Sequence, residues 1–203
     1  METKAFIQFK KTIQRSEALI AFYIKNKNIK GVSFPKDIVR GAVVLSVAAF
    51  DAYVSNVFVE ILIPYIQKYP LNNELVKLLE ATGFNTKLAI ELLNSQNPYR
   101  KIRLMVENYY IKQTTHRLTT VNKLFSKYNI DDIVKQAAAI TKGKNTARSI
   151  EVLIEKRHQI AHNGDYSKTG KLLDIDDKNM EKRINDLALF VESMDKIIGK
   201  IGV

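Results

Sequence analysis

The sequence predicts an all-α protein, on three observations. Apolar residues recur at helical spacing along nearly the whole chain. Glycine (8) and proline (4) are scarce among 203 residues. No internal repeat, low-complexity tract or linker-like stretch breaks the pattern. So few turn formers argue against a turn-dense sandwich or barrel and against a glycine-looped nucleotide-binding fold. A chain of this length is one large domain or two small ones, long enough to bury a single core. With 46% hydrophobic and 26% charged residues, its composition is that of an ordinary globular protein.

Each helix has its own justification. Phe6, Phe9, Ile13, Ile20 and Ile24 mark one face of an amphipathic helix over residues 3–29, ended by Gly31, Ser33 and Pro35. A second helix runs from Lys36 to about Tyr69. Its middle, residues 42–59, is apolar on most faces, so it is expected to be the central, most buried element, bent or ended by Pro64. Asn72 opens a short helix to Glu80 that Gly83 breaks, and Asn85 caps another to Leu93. Pro98 is placed to start a helix over 98–111. Helices over 116–127 and from Asp131–Asp132 to Ile140 follow, then a basic turn, Thr141 to Asn145. A helix over 146–162 ends at Asn163–Gly164, a favourable stop. After a polar loop, Asp174, Asp176 and Asp177 open the last helix, which carries Ile184, Leu187, Phe190, Val191 and Met194. One domain over 1–203 is expected, with residues 71–145 a helical insertion between core helices.

Thirty-two Lys and Arg against 21 Asp and Glu leave a net charge of +11. The excess is spread over the chain rather than gathered in one tail, so it covers a folded surface. Such a cationic field attracts polyanions, with nucleic acid ahead of an anionic membrane; a generally lysine-rich proteome would produce the same balance. The absence of cysteine excludes disulfides, iron–sulfur clusters and thiolate zinc sites. No uninterrupted apolar run approaches about 18 residues, so no bilayer span is expected. The early acid of Met1-Glu2-Thr3-Lys4 does not suit a secretory signal, which makes the cytoplasm the expected location.

The helix over 146–162 contains an anomaly. Its apolar stripe is Ile150, Leu153, Ile154, Ile160 and Ala161, and at about 100° per residue Arg157 falls in the middle of it. A guanidinium there is either paired, with an acid such as Asp51, or snorkels to solvent, or faces a cleft or a partner subunit, because an unpaired buried charge is very costly. His162 lies five residues on, at the last turn, where the negative end of the helix dipole favours a cationic ring. Arginine and histidine beside a helix end are the minimum kit for phosphodiester chemistry: histidine moves a proton and arginine stabilises charge on the phosphorane oxygens. With RNA the nucleophile is the substrate's own 2′-OH, so neither an enzyme nucleophile nor a metal is required.

The stretch Glu155-Lys156-Arg157-His158-Gln159-Ile160-Ala161-His162-Asn163-Gly164 resembles the signature of HEPN domains: an arginine, a polar residue, then a histidine four to six positions after the arginine. Two further segments resemble the RiboL-PSP-HEPN subgroup. They are the apolar helix around Phe50-Asp51-Ala52-Tyr53 and the C-terminal run Asp177, Leu187, Val191 to Asp195. The resemblance implies an all-α, HEPN-like bundle of about four core helices, with the extra helices inserted mid-chain. It also implies a homodimer with the Arg157/His162 motifs facing across the interface. The expected activity is metal-independent cleavage of RNA, in a toxin or antiphage-defence effector with a possible antitoxin or defence-system partner. Carried over by position, Arg157 and His162 are catalytic, and His158, Asp51 and Asn163 support them. Some members carry a tyrosine two residues after the histidine, which an antitoxin adenylylates; here Gly164 stands there, and Tyr166 follows two residues later. Other members are inactive and only bind, so a non-catalytic module holding RNA, a nucleotide or a partner protein is the alternative.

Other residues admit competing readings. His158 and His162 are four apart, on one helix face, a spacing that can hold zinc. Gln159 stands where a metallopeptidase needs glutamate, and only Asp165 or Glu155 could complete a set, so no metal or other cofactor is assigned. His116, the remaining histidine, reads most simply as a surface helix residue. Tyr99-Arg100-Lys101-Ile102-Arg103 and Tyr109-Tyr110 interleave cations with rings, which suits single-stranded RNA; packed tyrosines beside solvated bases are the plain alternative. Lys142, Lys144 and Arg148 precede the motif helix and are read as extending an RNA path towards Arg157.

Overall fold

The computed structural model describes residues 2–31, 35–110, 115–141 and 145–201. Its elements are α1 (Lys4–Asn26), α2 (Asp37–Lys68), α3 (Asn73–Ala81), α4 (Thr86–Leu93), α5 (Pro98–Tyr110), α6 (Leu118–Phe125), α7 (Ile133–Ile140), α8 (Thr146–Asn163) and α9 (Asp177–Ile198). A 3₁₀ turn at Ser126–Tyr128 follows α6 and another at Gly199–Ile201 follows α9. Among the described residues there is no strand, only an isolated antiparallel bridge between Tyr166 and Leu172. Ser33, Lys142 and Lys144, like the remainder of 32–34, 111–114 and 142–144, lie outside the described residues.

Side-chain contacts give the helix directions. Lys4 and Ala5 N–H groups donate to Glu60, Phe6 and Phe9 stack near Tyr53, and the Ser16 hydroxyl donates to the Ala42 carbonyl. Hence α1 and α2 are antiparallel. Lys27 meets Asp177 and Thr3 meets Asp195, so α9 is antiparallel to α1 and runs with α2. Ser149, early in α8, donates to Asp186 of α9, while Lys156 and Arg40 share Asp165 beyond the end of α8. Thus α8 runs against α9, and the four long helices form an up-down-up-down bundle.

The centre of that bundle is α2. Val39, Ala42, Val43, Phe50, Val54, Val57, Phe58, Ile61 and Leu62 are fully enclosed. By length and composition α2 is apolar enough to cross a bilayer, although no uninterrupted apolar run in the sequence is that long. Its apolarity is that of a core helix covered from several sides by α1, α5, α8 and α9. Pro64 does not end it; the helix runs on to Lys68.

The chain between α2 and α8 is fastened to α2 by aromatic rings. Phe58 meets Tyr110 of α5 at 5.0 Å, Phe125 of α6 at 6.2 Å and Tyr128 at 4.7 Å between centroids. The Tyr128 hydroxyl donates to the Phe58 carbonyl (2.7 Å). Side chains of Asn72, Asn85 and Asp132 cap α3, α4 and α7 as their sequence positions predict. The helix expected from residue 116 begins two residues later, at Leu118, because Thr115 and His116 are drawn onto Asp51 of α2.

Candidate functional site

Helix α8 ends where its sequence stops it. Gly164 adopts φ +60°, and the N–H groups of Gly164 and Asp165 turn back to the Ile160 and Gln159 carbonyls. Asp165 follows, also left-handed (φ +65°) and fully enclosed. It accepts from Arg40 Nε at 2.9 Å and Lys156 Nζ at 2.6 Å. Its carboxylate is therefore committed to the interior and locks the end of α8 onto the start of α2. Asn163, called on as a supporting residue, is exposed, and its carbonyl accepts from the Tyr166 N–H.

Arg157 is half-buried, and no hydrogen bond or ion pair joins it to another described residue; its Nε is enclosed and unpartnered. It is not bridged to Asp51, the structural pairing that the sequence left open. Instead it lines a cleft of about 510 Å³ together with His116, Arg117, Thr120, Ile154, Glu155, His158 and His162. His158 and His162 are exposed on one face of α8, their ring centroids 4.2 Å apart and their planes at 45°. A guanidinium without a protein counter-ion beside two reachable imidazoles has the chemistry to bind an anion and to exchange protons.

His116 corrects the sequence reading. It is not a surface helix residue but buried, 5% exposed, ahead of α6 and facing α8 across the cleft. The chain has three histidines, and all three line this one cleft. Asp51 stands behind His116: its Oδ2 is 3.6 Å from His116 Nδ1, just beyond hydrogen-bond length. Asp51 Oδ1 accepts from both the N–H and the hydroxyl of Thr115, each at 2.7 Å. Burial pushes the Asp51 carboxyl up, but His116 and the two Thr115 donors outweigh it and hold the group below the usual carboxylate range. Asp51 thus reaches the cleft only through His116. Nothing local in the sequence reveals that pair, because Asp51 and Thr115 lie 64 positions apart.

The remaining sequence-predicted residues lie elsewhere. Arg148 is nine positions before Arg157, half a revolution around α8, and belongs to a separate groove with Asn145, Lys182 and Arg183. Arg100 and Arg103 line a different cleft with Tyr99, Glu107 and residues of α1 and α2. Lys101 is exposed beside them. Tyr110 is buried against Phe58, with the half-buried Tyr109 ring on it. These two tyrosines are therefore engaged in packing. No group of three or more His, Asp or Glu side chains able to hold a metal occurs among the described residues.

The family model for RiboL-PSP-HEPN matches residues 10–200. The chain belongs to this family. The match runs from within α1 to the turn after α9, so the RiboL-PSP-HEPN region takes in all four bundle helices, the intervening helices and the cleft. No curated protein and no solved structure matches the chain.

Proposed function

We propose that this RiboL-PSP-HEPN protein is a metal-independent endoribonuclease acting in the cytoplasm as a toxin or antiphage-defence effector. The observation that carries the reading is the unpaired Arg157 guanidinium, held in a cleft beside His158 and His162. Arg157 grips the scissile phosphate and stabilises the charge that builds on its equatorial oxygens. The 2′-oxygen attacks phosphorus and the bond to the 5′-oxygen breaks; the 2′-OH proton leaves to a base, and the 5′-oxygen receives one from an acid. His162 carries one of these transfers. The products are a 2′,3′-cyclic phosphate and a 5′-hydroxyl. Two copies pair with their Arg157/His162 motifs facing, and the basic surface draws in RNA. An antitoxin or other defence-system protein is the expected regulator.

The test is cleavage of single-stranded RNA in EDTA by wild type, Arg157→Ala and His162→Ala. Wild type is expected to give cyclic-phosphate ends, and each variant to fall by about 10²-fold or more. Variants that cut as fast as wild type overturn the assignment. Wild type that binds RNA in a salt-sensitive way and never cuts it makes the protein a non-catalytic binding module.

A further inference from the structure

The cleft is lined by a histidine that the arginine–histidine motif does not include, with an acid behind it. His116 comes from the segment before α6, is enclosed, and has no hydrogen-bond partner for Nδ1. The acid facing that nitrogen, Asp51 at 3.6 Å, is itself immobilised by the neighbouring Thr115 through N–H and hydroxyl donors. A carboxylate held in this way orients an imidazole: it favours the tautomer whose Nδ1–H points at it as donor, which leaves the Nε2 lone pair for the other side of the ring. On that side lies the cleft, with Arg157 and His162 on the facing helix. A gap slightly over hydrogen-bond length is usual before substrate closes a site.

We propose that His116 is a second proton-transfer residue of this cleft, positioned by Asp51, so that a single chain supplies both the base and the acid for RNA cleavage. The proposal rests on the endoribonuclease reading and deepens it. His116 Nε2 takes the proton from the 2′-OH as the 2′-oxygen bonds to phosphorus. His162, exposed at the mouth, gives a proton to the departing 5′-oxygen. Arg157 stays on the phosphate throughout, and Asp51 is a positioning residue that never leaves His116.

The experiment compares two substrates, an RNA oligonucleotide and a ribonucleoside 3′-(p-nitrophenyl phosphate), whose phenolate departs without being protonated. His116→Asn keeps an N–H in the Nδ1 position for Asp51 but has nothing in place of Nε2. It is expected to melt like wild type yet lose about 10²-fold or more on both substrates. His162→Ala is expected to lose a similar factor on RNA and stay within about threefold of wild type on the phenyl ester. His116→Ala should regain activity with added imidazole, and Asp51→Asn should lower kcat about tenfold or more with KM unchanged. Full activity in His116→Asn while Arg157→Ala is dead overturns this proposal alone, as does loss of fold in both His116 variants. The converse substrate pattern overturns the assignment of the base to His116. Wild type inactive on both substrates overturns the endoribonuclease reading itself.

Discussion

Asp165 illustrates how one residue beside the motif fastens the end of α8. Its enclosed carboxylate satisfies Arg40 and Lys156 together, two cations that are themselves largely buried. Removing it leaves Lys156 without its acid and Arg40 with only the exposed Asp37 at 3.5 Å and the Leu173 carbonyl, and deletion of one partner of a buried charge is the costly case. Asp165→Ala is expected to destabilise the fold by about 3–5 kcal/mol in urea or thermal melts, far more than any exposed ion pair such as Lys77–Glu74. A smaller loss is expected one residue earlier. Gly164 has φ +60°, and an added Cβ would stand 3.3 Å from the Tyr166 ring. Gly164→Ala should therefore cost roughly 1–2 kcal/mol, read as a lowered melting temperature.

At the scale of elements, α2 organises everything else. Phe58 alone touches rings from α5, α6 and the turn after α6, so Phe58→Ala is expected to cost about 3–5 kcal/mol and to loosen the helices between α2 and α8 before the bundle itself. Hydrogen exchange that rises first in α5 and α6 would check this. The start of α1 is held by two carboxylates, Glu60 on Lys4 and Ala5 and Asp195 on Thr3. Burial raises the Asp195 carboxyl above its ordinary value, more than the Thr3 and Tyr53 donors lower it. The native state then holds that proton to higher pH than the unfolded chain, so Asp195 subtracts stability as pH climbs from the unfolded to the native pKa. Asp51 has the opposite sign: lowered in the fold, it adds stability above the ordinary carboxylate pKa, and that stability is lost as pH falls through the native value. Melting temperatures across acidic pH should thus show Asp51→Asn with a shallower acid limb and Asp195→Asn without the decline just above the ordinary carboxylate pKa.

For the whole molecule, the net charge of +11 governs encounter rather than chemistry. If RNA is held through about three phosphates, affinity should fall roughly tenfold or more between about 50 and 200 mM salt, measured by fluorescence anisotropy. The surface is not one track. Arg148 and the Arg100/Arg103 pair open onto grooves separate from the Arg157 cleft. Neutralising Arg100 and Arg103 together should weaken RNA binding while leaving kcat near wild type.

Helix order and most boundaries were legible along the chain, because capping side chains, Gly164 and the apolar spacing act through neighbours a few positions away. The same local rule placed Arg157 in the middle of an apolar stripe, and that oddity, with His162 five residues on, pointed to two residues that line one cleft. What local rules miss depends on distance in sequence. Pro64 reads as a bend or a stop, and of the two the stop does not occur, since α2 continues past it to Lys68. Arg148 reads in sequence as leading towards Arg157, but helical geometry turns it to the opposite side. His116 reads as a solvated side chain because nothing beside it signals burial; only the packing of α2 against the start of α6 sets Asp51 behind its ring. By itself, then, the sequence determined the helices and the arginine–histidine half of the cleft, since both follow from periodicity on a single helix. Tertiary structure alone decided the facing wall, because a half-buried acid and a buried imidazole meet only when segments far apart in the chain pack together.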